Sequence, residues 1–268
     1  MDIRDLVRTH YGAADLTTAI LRALAGAGVD VRSLTVHDLA AVDQLHAGFA
    51  DATEHVLTAL DLDVTSRLLD VGSGIGGPAR MAAATRSCRV TGVDLTPEFV
   101  ATADALTARV GFADLVRFQV APADELPFGD ATFDRAMMIH VGMNVPDKRA
   151  VFAEIRRVLV DGGVFVLYEQ LRTAEGFLPF PQPWADDEDG SFVETAEAYV
   201  EHLTGAGFTV ERTENRRKAV AAGPPSGPPG GLGPGVVFGA PFMRRIRNNN
   251  GATAAGLLAP VLVVARAA

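Results

Sequence analysis

Three glycines carry the first chemical signal in this chain. In LLDVGSGIGG, Gly72, Gly74 and Gly77 follow a short apolar run, which is the spacing of a turn from a strand into a helix. Glycine there lets the backbone turn tightly and lets a ligand approach it closely. Turns of this kind often cradle a pyrophosphate on the following helix N-terminus, but Asp70, two residues before the first glycine, would repel one. Asp70 suits a ligand that carries positive charge. Asp94 closes the next apolar run, VTGVD, where its two oxygens can accept from both hydroxyls of a ribose. The alternative for Asp94 is a helix cap ahead of Thr96-Pro97-Glu98.

The elements that must position these residues alternate. RLLDV, CRVTGVD, VRFQV, FDRAMMI and GVFVLYE read as short strands, and PARMAAATR, PEFVATADALTAR and PDKRAVFAEIRRVL between them read as helices. Such alternation predicts right-handed βαβ crossovers and an α/β fold with a mainly parallel, doubly wound sheet. Residues 1–60 read as a helical cap or lid, with Leu16, Ile20 and Leu24 at helical spacing, ahead of a catalytic domain over 61–268. A helix is expected from about Phe192 to Gly205, and APVLVVARA as a last strand re-entering the sheet. Residues 170–190 and 219–256 are expected to form lid or substrate-side insertions. The second of these holds AAGPPSGPPGGLGPG, which is too low in complexity to pack a core.

LLDVGSGIGGPAR, VTGVDLTPEFV, ELPFGDATFD and RRVLVDGGVFVLYE resemble the ordered motifs of class I S-adenosylmethionine-dependent methyltransferases of the small-molecule type. DQLHAG, HVGMNVPDK, FPQPWA and APVLVVAR extend the likeness towards bacterial relatives of the sterol, tocopherol and glycine-betaine methyltransferases and the isoprenoid C-methyltransferases. The resemblance implies a Rossmann-like sheet of seven strands, the last antiparallel, and S-adenosyl-L-methionine as cofactor. It implies that Asp70, Gly72 and Gly74 hold the methionine part, Asp94 and Leu95 the ribose, and Ile139 the adenosine side. Where the family places an Asp or Asn for the adenine amino group this chain has Pro122, which leaves Asp124, two residues later, or a backbone carbonyl as the substitute.

Methyl transfer is an in-line displacement from a cationic sulfur, so alignment of the acceptor and exclusion of water matter most. His140 after the fourth strand and Glu169 at the end of the fifth are the candidate bases, each with a structural alternative: a histidine bonded in the pocket wall, or a carboxylate bonded to loop amides. Tyr11, His46 and Trp184 are candidate acceptor contacts. An alkene acceptor would become a carbocation and lose a proton to a carboxylate, the route of the isoprenoid C-methyltransferases, with Glu169 as base. Arg244 and Arg245, with Arg247, could then grip a prenyl diphosphate or lie on a solvated face, and magnesium enters only if the acceptor is a diphosphate. O- or N-methylation of a secondary metabolite is the other reading. An NAD(P)-dependent oxidoreductase is opposed by Asp70 and by the lack of a Tyr-x-x-x-Lys, and a cofactor binder that transfers no methyl is a further rival.

Composition narrows the partners. The formal net charge of -9 gives no basic stripe for nucleic acid, so the partner is a small-molecule acceptor, with a homo-oligomer allowed. The single cysteine, Cys88, excludes an internal disulfide and any cysteine-built metal site, and no metal site is expected. No run approaches the roughly 20 apolar residues that span a bilayer, and the charged N-terminus lacks a signal-peptide core, so a cytoplasmic location is expected.

Overall fold

The computed structural model describes residues 16–222 and 232–268. Seven strands form one sheet in the order β3-β2-β1-β4-β5-β7-β6. They are β1 (Arg67–Val71), β2 (Arg89–Asp94), β3 (Val116–Val120), β4 (Phe133–Ile139), β5 (Leu159–Arg172), β6 (Phe208–Asn215) and β7 (Leu258–Ala267). Neighbours from β3 to β5 pair parallel, and β7 inserts antiparallel between β5 and β6. This is the doubly wound, mainly parallel sheet expected from the alternating sequence, with the seven strands and antiparallel last strand that the resemblance implies. The parallel strands are near-continuous apolar runs because helices cover both faces. On one face Val151, Phe152 and Ile155 of α6 (Lys148–Val158) pack on Leu69, Met138 and Phe165. On the other, Val56 and Leu57 of α3 (Phe49–Leu60) and Ala79 and Ala83 of α4 (Gly77–Arg86) pack on Leu68, Met137 and Val166. Cys88 is buried there as a small apolar residue at the α4–β2 junction.

The described part of the N-terminal region is helical: α1 (Leu16–Gly26), α2 (Val36–Asp43) and α3. Leu16, Ile20 and Leu24 are buried against Phe99 and Leu106 of α5 (Pro97–Arg109), with Val237 of α9 (Gly235–Phe238) in the same cluster. Two expectations change. The helix foreseen from Phe192 starts at Ala196 as α7 (Ala196–Gly205), because the Thr195 side chain caps it by accepting from the Ala198 amide. Glu169 does not end β5. The strand continues to Arg172 because β7 pairs with it as far as Leu258, so Glu169 lies opposite Val261 inside the sheet and is only 1% exposed.

One buried ion pair fastens the helical region to the sheet. Arg80 on α4 is fully buried, and its guanidinium reaches three elements. Nη2 donates to Asp43 Oδ2 at 2.9 Å and to the Ile75 carbonyl at 2.7 Å, while Nη1 donates to Thr107 Oγ1 at 3.0 Å and to the Ala103 carbonyl at 3.2 Å. The end of α2, the glycine turn and α5 thus share one cation. Removing one partner of such a pair leaves the other charge buried and costs about 3–5 kcal/mol. Chemical denaturation should show R80M destabilised on that scale, with R80M/D43N losing far less than the sum of the single losses. Additive losses would mean that the pair does not act as a unit.

Candidate active site

The carboxyl ends of β1, β2 and β4 open into one partly open cavity of about 260 Å3, room for a small molecule. Asp70, Gly72, Gly74, Asp94, Leu95, Asp124, Ile139, His140 and His46 all line it, so the tertiary structure brings together residues spread over much of the chain. This is where ligands bind in open α/β sheets, because the strands end and the loops diverge there.

Gly72 and Gly74 sit in the left-handed region at φ 74° and 53°. A Cβ on Gly72 would lie 2.3 Å from the Val141 side chain, so glycine at that position makes room for the β4 loop as well as for a ligand. A Cβ on Gly74 would meet nothing within 4 Å. Asp94 ties the turn down: Oδ2 accepts from the Gly74 amide at 2.8 Å and Oδ1 from the Thr96 amide at 2.9 Å. Each oxygen keeps a further lone pair, so the ligand and the turn can share it.

Electrostatics favour a cation. Asp70 is 1% exposed and its Oδ2 has no partner. Burial first, and the nearby Asp94 second, raise its pKa to about 8. Burial also raises Asp94. Two buried carboxylates facing one cavity repel each other and lack solvation, and a positively charged ligand offsets both costs.

The opposite wall is aromatic. His140 holds φ 55°, a strained value for a residue with a side chain, which costs about 1 kcal/mol or more. Its amide donates to the Tyr168 carbonyl at 2.8 Å, its ring stacks on Tyr168 at 5.5 Å, and its Nε2 is buried without a partner. His46 lies 5.9 Å from His140, ring to ring, and its Nε2 pairs with Thr53 Oγ1 at 2.9 Å. Burial lowers His46 to about 4 and, together with His46, holds His140 well below the usual imidazole range, so both rings are neutral near pH 7. Position alone suggested these two histidines separately; their pairing, and the Tyr168 platform beneath them, needed the fold. Asp43, Phe99 and Asn144, which lie inside quoted motifs without being singled out, also line the cavity, as does Phe238, which lies in none.

Other expected contacts fall elsewhere. Glu169 does not line the cavity; its Oε1 accepts from the Val141 and Gly142 amides, both at 3.0 Å, the loop-amide alternative. Trp184 is 5% exposed and packs with Met143, Leu178 and Leu258, its Nε1 donating to Ser191 Oγ at 2.8 Å. Arg245, on α10 (Phe242–Ala254), clamps the 182–186 loop: Nη1 donates to the Gln182 carbonyl at 2.8 Å, and the guanidinium pairs with Asp186. A guanidinium so engaged is not available as a phosphate grip. Arg244 is exposed and away from the cavity. Tyr11 lies outside the described residues.

Residues 69–167 match the methyltransferase domain family. Residues 69–167 thus carry a methyltransferase domain. A sterol 24-C-methyltransferase of Gibberella zeae is 36% identical to it over 107 residues, 40% of this chain and 28% of that protein. A methyltransferase of Streptomyces halstedii is 32% identical over 126 residues, 47% of this chain and 45% of that one. The chain thus spans less than half the length of these relatives. Among solved structures, a geranyl diphosphate methyltransferase with geranyl diphosphate and sinefungin superposes at TM-score 0.72 and 17% identity, covering 100% of both chains. A [4+2]-cyclase superposes at TM-score 0.68 and 21% identity, over 100% of this chain and 97% of that one. At those identities the likeness is one of fold. Among the described residues no helix is long and apolar enough to cross a membrane.

The methyltransferase cavity fits its cofactor: the unpartnered Asp70 oxygen suits an ammonium, and Asp94 at the turn suits hydroxyls. Asp70 also sets a linkage. Its folded pKa of about 8 exceeds the ordinary carboxylate value of 3.8, so its contribution to stability is full below about pH 4 and is lost as pH rises towards 8. A cation beside it keeps it ionised, so binding S-adenosylmethionine near pH 7 should release a proton. Calorimetry should then give binding enthalpies that vary with the ionisation enthalpy of the buffer, and D70N should abolish that dependence. Buffer-independent enthalpies in the unmutated protein would remove Asp70 from the cation site.

Proposed function

We propose that this protein transfers a methyl group from S-adenosylmethionine to an oxygen or nitrogen nucleophile of a small, largely apolar acceptor, and that His140 takes the proton the nucleophile loses. When bound, the cofactor supplies an electrophilic methyl on a cationic sulfur. Asp70 would hold the ammonium and Asp94 with Leu95 the ribose, while Ile139 and Asp124 would flank the adenine. Leu45, Phe99, Val145 and Phe238 keep the remaining wall apolar and exclude water.

The observation that carries this reading is the His140 imidazole, neutral, unpartnered at Nε2 and aligned by Tyr168 on the cavity wall. A neutral ring can accept a proton, and the resulting imidazolium returns to the cavity the positive charge that the sulfur gives up. The two buried carboxylates therefore face one cation before and after transfer. The alternative is C-methylation of a prenyl diphosphate alkene with Glu169 as base and a magnesium ion on the diphosphate; a sterol C-methyltransferase and a geranyl diphosphate methyltransferase among the similar proteins support the acceptor class. It has less support here, since Glu169 is engaged behind the loop and Arg245 is spent on the 182–186 loop. The cyclase neighbour supports keeping a non-transferring cofactor binder as the remaining outcome.

The test is incubation with methyl-labelled cofactor and a panel of alcohols, phenols, amines and prenyl diphosphates, read by mass spectrometry. Label should enter an oxygen or nitrogen acceptor. H140Q should bind the cofactor within a few-fold of wild type and lose about 10²–10⁴-fold in turnover, the usual worth of a placed general base. A loss under threefold would remove His140 as proton acceptor. Label only in prenyl diphosphates would overturn the oxygen or nitrogen assignment, and cofactor binding with no labelled product at all would favour the non-transferring reading.

A further inference from the structure

The loop after β4 carries His140, Val141, Asn144 and Val145 into the cavity wall, and its backbone is fastened from behind at both ends. At its start, Glu169 Oε1 receives two consecutive amides, Val141 and Gly142, each at 3.0 Å. At its end, the Lys148 ammonium, 2% exposed, donates to the Val145 carbonyl at 3.0 Å and to the Phe192 carbonyl at 2.7 Å, with Glu194 Oε1 at 3.3 Å. Gly142 lets the loop lie close against α7. A Cβ there would lie 2.1 Å from the Tyr199 hydroxyl, whereas Glu169 Cδ, at 3.4 Å, would be in ordinary contact with it. His140, held at φ 55°, immediately precedes the two amides that Glu169 takes. A backbone in that conformation persists only where its surroundings over-determine it.

We propose that Glu169 and Lys148 are positioning residues for His140: Glu169 fixes the loop by accepting its amides, Lys148 by donating to its carbonyl, and neither exchanges a proton with the acceptor. A carboxylate on an apolar strand beside the cleft has the composition of a base, but only one of its oxygens is used and that oxygen faces amides. An amide oxygen can accept the same two bonds, so glutamine can do the work of Glu169 where alanine cannot. This inference rests on the proposed role of His140.

The closing experiment pairs turnover with an NMR titration of the His140 imidazole, which is readable whether or not a methyl is transferred. E169Q should rescue the position: turnover within about threefold of wild type, and the His140 titration still well below the usual imidazole range. E169A, and K148M from the other end, should lower kcat tenfold or more with little change in cofactor KM, and should move the His140 titration up towards about 6.5 as the ring gains solvent. Should E169A not fold, E169Q and K148M carry the test. A hundredfold loss in folded, cofactor-binding E169Q would overturn the inference, because it would mean that the carboxylate takes a proton. So would an unmoved His140 titration in K148M. If the wild-type protein transfers no methyl, the proposed function fails by itself and the titrations still decide the positioning claim.

Discussion

The buried Arg80 guanidinium is the constraint on which the site depends. A charge with no exposed surface must be met by acceptors from whatever surrounds it, and here those come from α2, the glycine turn and α5 at once. Asp43, its ionic partner, is also part of the cavity wall, and Ile75, whose carbonyl it holds, lies in the turn. The helical region is therefore tied to the nucleotide end of the sheet through both terminal nitrogens of one buried guanidinium, whose Nε alone has no partner. Shape follows from this: the end of α2, which lines the cavity through Asp43, is held against α4 and α5.

Against that frame the two sides of the cavity have opposite electrical character. The β1–β2 side buries Asp70 and Asp94 with too little compensation within the protein, and burial drives both pKa values up. The β4–β5 side buries two imidazoles, and burial drives those values down. Each side is therefore held nearer its neutral form than the same residues would be in water. A cation entering between them restores charge on the carboxylates while leaving the rings neutral. Opposite shifts on the two sides of one cavity thus have the same physical cause, desolvation.

Behind the cavity lies a second polar layer that never reaches it. Glu169, Lys148 and Glu194 are joined through backbone amides and carbonyls of the β4 loop and the 192 region, and His202 closes the chain on Glu194 Oε2 at 2.8 Å. Buried polar groups of this kind rigidify what they touch when most of their bonds are made. The layer lets a strained loop sit at the mouth of an otherwise apolar strand bundle. It also accounts for the high apolar content of β4 and β5 being interrupted by a glutamate.

The amino-acid order by itself determined the doubly wound sheet, the glycine turn, and the placing of Asp70, Asp94, Leu95 and Ile139 at one end of it. Those are local or topological matters: strand period, turn chemistry and the rule that parallel strands all end on the same side. What only the tertiary structure decided is which neighbour each polar group meets. Glu169 reads as a strand-end carboxylate until β7 is seen to extend the pairing past it to Arg172. Trp184 and Arg245 read as substrate contacts until they are found packing and bonding the 182–191 loop. His46 and His140, separated by most of the sheet in sequence, share a ring contact because the α2–α3 loop and the β4 loop both pack on Tyr168. Periodicity constrains one element at a time, whereas a hydrogen-bond partner or a pKa depends on several elements packed together.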